Sequence, residues 1–389
     1  MRKTALPIDL RAFDYRRVAL LGLLVVLAFS HETLLTTPSE YITFYEGGRL
    51  VGTPYLYDMA HGYEEQIKAV GGYGDQFLFV RIPFCAVLHL PLTLLPYHIA
   101  LRAWLVILFG VLLAFLFTWN ITDRKLTLLA CCWSLPLVFD FAFGKDTTVL
   151  ILILAVALRL YAKSPAAAGV VLSLLAIKYH LFFLLPLLIL TRRTWKIAAG
   201  FSCGAVIIAA ISFWAGGMDW PVRLIALLGS QSKPHEFLMP NIRGLLAPFT
   251  DLFLPELLLD IVVALFAWTI IRKTDFVYGM AAVLVGGVLV SHHAAVYDCV
   301  VLIPALLILM DRSAEAVPNR SLVLLNCLCL FLLTPLPYVL VTYGPVLGLV
   351  TKLSLFALLF VMGRQARNLG SPYRISAPQF GDGIAGKAY

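Results

Sequence analysis

The 389-residue sequence predicts an all-α polytopic membrane protein. Hydrophobic residues make up 61% of it and charged residues 13%, against roughly 45–50% and about 25% in soluble domains. A soluble fold of this length could not cover so much apolar surface, so its main solvent is lipid. The apolar runs are separated by short polar or basic turns. They predict one integral membrane domain over residues 1–389, a bundle of about twelve transmembrane helices with re-entrant segments and a structured first outer loop. The net charge of +8 is read as Lys and Arg flanking the spans on the cytoplasmic side, so it is no argument for nucleic acid. The seven Cys lie inside apolar runs without CxxC spacing, which argues against a disulfide framework or zinc site and favours small packing residues.

The elements can be taken in chain order. The basic start, MRKTALPIDLRAFDYRR, leads into Val18–Leu35. That order fits a cleaved signal peptide, but no small-x-small site stands out and more spans come after it, so a retained signal-anchor helix is expected. Positive-inside then puts the N-terminus in the cytoplasm and Pro38–Val80 outside. This loop carries Glu40, Glu46, Asp58, Glu64, Glu65 and Asp75 with many Tyr and Gly. Ile82–Pro96 is short and holds Pro83, Pro91 and Pro96, as a re-entrant or broken helix would. Ile99–Trp119 descends to Asp123–Lys125, Leu126–Phe143 returns to Gly144-Lys145-Asp146, and Thr147–Tyr161 descends to Lys163.

Ala166–Ile177 and Leu181–Leu190 form a helical hairpin with Lys178-Tyr179-His180 at its outer turn and the basic RRTWK (Arg192–Lys196) inside. Both arms are shorter than the ~20 residues of a perpendicular span. Ala198–Trp214 rises to a second outer loop, Gly216–Asn241, and Ile242–Leu254 is again short. Leu257–Ile271 and Val277–Val290 flank Arg272-Lys273, and the latter ends at Ser291-His292-His293. Val300–Met310, Leu322–Leu333 and Val346–Met362 complete the set, with a cytoplasmic tail over 364–389. Both termini are then cytoplasmic, in a multi-pass protein of the cell (inner) membrane. No internal repeat marks an inverted-repeat transporter.

This topology brings Glu40, Lys145, Lys178, His180, Asn241, His292, His293 and Asp298 to the outer surface or just below it. Ionisable groups at membrane depth are costly and mark pathways or sites. Each also has a bland reading. Lys145 can snorkel and pair with Asp146, and Asp298 can sit in a buried ion pair with a Lys or Arg. His292 and His293 can cap a helix end; adjacent residues point about 100° apart, which disfavours joint metal ligation. Lys178, between two apolar arms, calls for an anionic partner. A carboxylate with several cations suits phosphate-linked chemistry, because the carboxylate takes a proton from an acceptor hydroxyl and the cations stabilise a departing phosphate. No P-loop, GxSxG or HExxH is present, which leaves ATP-driven transport, serine hydrolysis and zincin chemistry without support.

The order of short motifs resembles the membrane glycosyltransferases of the GT-C superfold. Within them it is similar to the PimE-like, polyprenyl-phosphate-mannose-dependent mannosyltransferases of glycosyltransferase family 87. The acidic-aromatic pattern after the first helix is Glu40-Tyr41 through Phe44-Tyr45 to Gly48-Arg49, then Gly52 and Tyr57-Asp58. Phe79 to Pro83, Leu90-Pro91-Leu92, Leu95-Pro96 and Trp104 come next. Then come Gly144-Lys145, Ala168-Gly169 through Ile177-Lys178 with RRTWK, and Ser291-His292 through Tyr297-Asp298. Glu40 stands for the family's Asp, Lys145 for its Gln, and Tyr179 and His292 for its Pro.

The resemblance implies inverting transfer of a sugar, typically mannose, from a polyprenyl-phosphate carrier to a lipid or glycan hydroxyl on the extracytoplasmic side. Glu40 would be the catalytic base. Lys178, Lys145, Arg81 and His180 would hold the donor phosphate. Asp58, Asn241, His292, His293 and Asp298 would place sugar or acceptor. No metal or cofactor is implied. The competing class is a secondary transporter or lipid-linked-sugar flippase, whose cavity would also hold buried charge; a catalytically silent membrane partner is the bland third.

Overall fold

The computed structural model describes residues 14–36, 39–72, 78–191, 194–230, 236–249, 252–314 and 319–368, and no strand occurs among them. Parts of the segments expected as the first and second outer loops (38, 73–77, 231–235), Arg192-Arg193 and the tail beyond 368 fall outside the described residues. The helices are α1 (Tyr15–Thr36), α2 (Tyr41–Leu50), α3 (Met59–Val70), α4 (Pro83–His89), α5 (Tyr97–Thr118), α6 (Arg124–Cys132), α7 (Leu135–Ala142), α8 (Thr147–Tyr161), α9 (Pro165–Ser173) and α10 (Leu185–Thr191). They continue as α11 (Trp195–Gly216), α12 (Trp220–Ser230), α13 (Ile242–Leu246), α14 (Phe253–Lys273), α15 (Phe276–Val290), α16 (Leu302–Ala314), α17 (Arg320–Leu333), α18 (Leu336–Thr342) and α19 (Pro345–Asn368). Short 3-10 helices at Leu90–Leu94, Leu174–Phe182, Glu236–Leu238 and Val296–Val301 link several of them.

Five helices are long and apolar enough to cross a membrane, and up to seven spans result if the bent pairs α6–α7 (62°) and α17–α18 (58°) each count as one. The bends have local causes. Ser134 caps α7, its hydroxyl accepting from Leu137 N–H at 3.3 Å, and Pro136 cannot continue α6. Pro335 and Pro337 do the same after Thr334. Ile82–Pro96, expected as one broken segment, is a seven-residue helix running into a 3-10 turn at Leu90-Pro91. The segment expected as the first outer loop is itself helical: α2 and α3 pack against each other, with Asp58 capping α3.

Two poles result from the packing. At one, Tyr161 stacks on Phe276 (4.3 Å) and Arg312 pairs with Asp275 (2.7 Å). The basic turns Arg124-Lys125, Lys163 and Arg272-Lys273 belong to helix ends at this pole. At the other, the starts of α2 and α8, the α9–α10 turn and the end of α15 meet. α15 and α16 form the buried axis, with nearly every residue enclosed. Outer faces of α5, α11 and α14 show Val106, Phe117, Val206, Val262 and Leu258, a belt too apolar for water and suited to lipid.

Helices α9 and α11 touch backbone to backbone. A Cβ at Gly200 would lie 1.9 Å from the Ala166 carbonyl oxygen, so only glycine permits the approach, as small residues do between membrane helices. Gly200→Leu is expected to force the pair apart and cost about 1–3 kcal/mol. An unchanged thermal unfolding midpoint in detergent would overturn this.

Glu46 of α2 is buried and accepts a 2.6 Å hydrogen bond from Gln66 Nε2 of α3. Burial pushes its carboxyl up to about 8 from 4.5, while the Gln66 bond pulls the other way. A raised folded-state value means that the folded protein keeps a proton the unfolded chain releases. Stability conferred by the protonated group is therefore present at low pH and lost as pH rises from about 4.5 to about 8. Glu46→Gln should flatten the midpoint's fall across that window; an unaltered pH slope would refute the assignment.

Candidate active site

The site grows from the α7–α8 turn. Asp140, near the end of α7, accepts from the backbone N–H groups of Thr147 (3.0 Å) and Thr148 (2.9 Å) and from the Thr148 hydroxyl (2.6 Å). A carboxylate there meets the unpaired N–H groups and positive dipole end of α8. Gly144 makes the turn possible, at φ +64, with its Cβ position 2.8 Å from Tyr41 Cβ. Its carbonyl accepts from Trp104 Nε1 at 2.9 Å, and the neighbouring Phe143 carbonyl accepts from Ser39 Oγ at 3.2 Å. These bonds bring the turn against the start of α2, and so Lys145 forms an ion pair with Glu40.

Beneath that pair lies a buried network. Lys178 Nζ contacts Asp298 Oδ1 at 2.6 Å, Thr147 Oγ1 at 2.5 Å and Asp146 Oδ1 at 3.3 Å. Lys178 can leave the helix path because its own backbone is non-helical (φ −128, ψ 59). Arg81 donates to the Ile177 carbonyl at 2.9 Å and lies 3.4 Å from Asp146. Asp298 also accepts from Ala295 N–H at 2.9 Å. The Tyr297 ring lies 5.1 Å from Lys145 Nζ and 5.2 Å from Lys178 Nζ, and Phe44 lies 5.8 Å from both Lys145 Nζ and Arg81 Cζ.

A second polar group adjoins it. His180 Nδ1 lies 2.8 Å from Ser291 Oγ, and Asn241 Nδ2 donates to the Ser291 carbonyl at 2.5 Å while its Oδ1 caps α13. His292 Nδ1 lies 2.6 Å from Glu256 Oε1, and Arg243 lies 2.6 Å from Glu236 and 3.5 Å from Glu256. His293 touches the group through an edge contact with His292 (4.4 Å).

Of the candidate residues named from sequence, Glu40, Lys145, Arg81, Lys178 and Asp298 thus come together around Asp146. His180, Asn241, His292 and His293 line the adjoining group. Asp58 is spent elsewhere: it accepts from His61 N–H at 3.0 Å, pairs with the His61 ring at 2.8 Å and is held below its usual value by those bonds. Lys145 pairs with Glu40 rather than Asp146, and Asp298 is in the buried pair that its position called for. Asp140, Arg243 and Glu256 went unnoticed in the sequence, although charges inside LPLVFDFA and FLPELLLD are the same signal that marked Lys178. Among the described residues no group of three or more His, Cys, Asp or Glu could hold a metal ion.

Carboxylates, cations and aromatic rings meet at one pole of an all-helical bundle with five to seven candidate membrane spans, which defines the class as a polytopic membrane protein. The comparisons then fix the family. A model of glycosyltransferase family 87 matches residues 79–292, more than half of the 389-residue chain, and the chain belongs to that family. It is a membrane glycosyltransferase, acting on a sugar donor and an acceptor. The match takes in Arg81, Lys145, Lys178, His180, Asn241 and His292 and leaves Glu40, Asp58, His293 and Asp298 outside it. Neither a curated protein nor a solved structure matches the chain.

Lys178→Met removes the cation between two enclosed carboxylates, and losing one partner of a buried pair costs about 3–5 kcal/mol. The double variant Lys178→Met/Asp298→Asn should recover part of that loss. Equal thermal midpoints for wild type and the single variant would show that the network carries no stability.

Proposed function

We propose that this glycosyltransferase moves a sugar, mannose or another pyranose or pentose, from a polyprenyl-phosphate carrier to a glycolipid or glycan hydroxyl, with inversion. The observation that carries this is the Glu40–Lys145 pair at the rim of the network. The Glu40 side chain is 18% exposed, whereas that of Lys178 is 1% exposed with its three N–H groups facing Thr147, Asp146 and Asp298. Glu40 is thus the acid that a substrate hydroxyl can reach, and Lys145 and Arg81 are the cations best able to meet a phosphate. His180 stands behind them, and Lys178 serves by orienting Asp146 and Asp298.

In the proposed step the acceptor oxygen attacks the anomeric carbon from the face opposite the phosphate. Its proton passes to Glu40, and the carbon–oxygen bond to phosphate breaks with its electron pair leaving on the lipid phosphate. The arriving phosphate competes with Glu40 for Lys145, so donor binding frees the base. Asn241, His292, His293 and Asp298 place sugar or acceptor. Asp58, with its carboxylate committed to His61, acts on sugar or acceptor only through the α3 start.

The same reading assigns the fold and its orientation. The reading takes about twelve crossings, with the short apolar helices spanning alongside the five to seven long ones and α4 and α13 as re-entrant pieces, as in a GT-C-like bundle. The basic turns gather at the pole away from the site, which by the positive-inside rule faces the cytoplasm with both termini and leaves the site extracytoplasmic, in the cell (inner) membrane. No observation favours the transporter alternative.

The test uses purified protein in vesicles with polyprenyl-phosphate mannose as first donor. Glu40→Gln should lower kcat by about 10²–10⁴-fold, the usual worth of a general base, and Lys145→Ala should raise donor KM. Full turnover by Glu40→Gln removes Glu40 from the mechanism.

A further inference from the structure

Outside the two polar groups described above, Lys352 is the one other lysine among the described residues that is enclosed within a long apolar helix. It lies about two turns into α19, with no exposed surface. Its Nζ donates to the carbonyls of Phe237 (2.9 Å) and Gly244 (2.8 Å). Those two carbonyls bracket the segment 237–244, which begins in the 3-10 turn Glu236–Leu238 and ends in α13. Between them stand Asn241, which holds the Ser291 carbonyl, and Arg243, which reaches Glu236 and Glu256.

A segment this short gains little from its own helix, because a five-residue helix sits below the length at which backbone hydrogen bonds sustain it. An ammonium enclosed at membrane depth is also costly unless its donors are used. Both costs are answered by one arrangement, in which the cation ties the two ends of the segment to the last helix. Thr351, its neighbour in sequence, bonds the Pro337 carbonyl of α18, so α19 is itself anchored. Lys352 lies outside residues 79–292 of the family match.

We propose that Lys352 is a positioning residue for glycosyl transfer: by clamping both ends of 237–244 it holds Asn241 and Arg243 against the Ser291–His292 turn and sets how the acceptor is seated. The seating of the acceptor rests on the function proposed above; the clamp rests on the hydrogen bonds alone. Removing it loosens the segment without touching Glu40, Lys145 or Arg81, so acceptor affinity changes and donor affinity does not.

The experiment compares wild type, Lys352→Met and Lys352→Arg in nanodiscs, each checked for a monodisperse elution profile. Two readouts are taken: hydrogen exchange of the amides in 236–246, and transfer from polyprenyl-phosphate mannose to octyl mannoside. In Lys352→Met, exchange in that segment should rise about tenfold or more while α8 and α15 stay protected. Acceptor KM should rise about tenfold, with donor KM and kcat within about twofold, since displacement of a positioning group by a fraction of an ångström has effects of this order. Lys352→Arg, which keeps donors, should recover most of both. Unchanged exchange overturns the proposal, and so does a uniform fall in kcat with no change in acceptor KM. If wild type transfers no mannose from this donor to octyl mannoside, that donor–acceptor pair falls, and the exchange result alone upholds or overturns the clamp. Should Lys352→Met fail to fold, Lys352→Gln, shorter but still a donor, is read by the same two criteria.

Discussion

The structure depends on one electrostatic constraint, the enclosed set of Arg81, Lys178, Asp146 and Asp298. Four stretches far apart in sequence contribute to it: the entry to α4, the α9–α10 turn, the start of α8 and the 3-10 turn after α15. In a hydrocarbon surround an isolated charge is far more costly than any packing defect. Two cations and two anions at 2.6–3.4 Å offset that cost only in this arrangement. Misplacing any one of the four segments strands a charge. The network is therefore less a source of net stability than a specification of how the helix ends must meet, which is the use of buried ion pairs that survives their desolvation cost.

Local backbone serves that specification. The helices around the site are short and end early: α4, α7, α9, α10 and α13 each run fewer than ten residues. Early endings put unpaired N–H and C=O groups at the site, where Asp140 answers the start of α8 and Arg81 answers the Ile177 carbonyl. Long helices lie at the periphery, where lipid rewards a continuous internally bonded backbone. A bundle built in this way has a smooth outside and an irregular, polar inside at one pole.

That division explains how much could be read from sequence. Membrane class and helical architecture come from composition and run length, because lipid leaves a chain few choices. The site region comes from the cost of intramembrane charge, which picked out Lys178, Asp298 and Lys145 with no knowledge of contacts. Pairing was not legible. Lys145 stands next to Asp146 in sequence, yet the Gly144 turn aims it at Glu40, and Asp146 is left to Arg81 and Lys178. Adjacent residues at a turn point apart, so sequence neighbours make poor guides to partners there. Asp58 looked like its fellow loop acids, because an N-cap is set apart from a site residue only by the helix it opens, here through His61. Lys352 met the very criterion applied to Lys178, a charge within an apolar run, and the distance from any motif hid it.

Lys145, just before α8, and Lys178, in the α9–α10 turn, differ in how fully their donors are used. Lys178 is saturated: three donors meet three oxygen partners, all on rigid elements, and nothing arriving from solvent improves on that. Lys145 faces one carboxylate and two ring faces, so it holds unspent hydrogen-bonding capacity beside a partly open position. An anion brought to the rim meets a cation whose present partner is a single, partly exposed acid, and the exchange of one anion for another costs little net charge. Exchange at the Glu40–Lys145 pair leaves undisturbed the Lys178–Asp146–Asp298 contacts on which the fold relies.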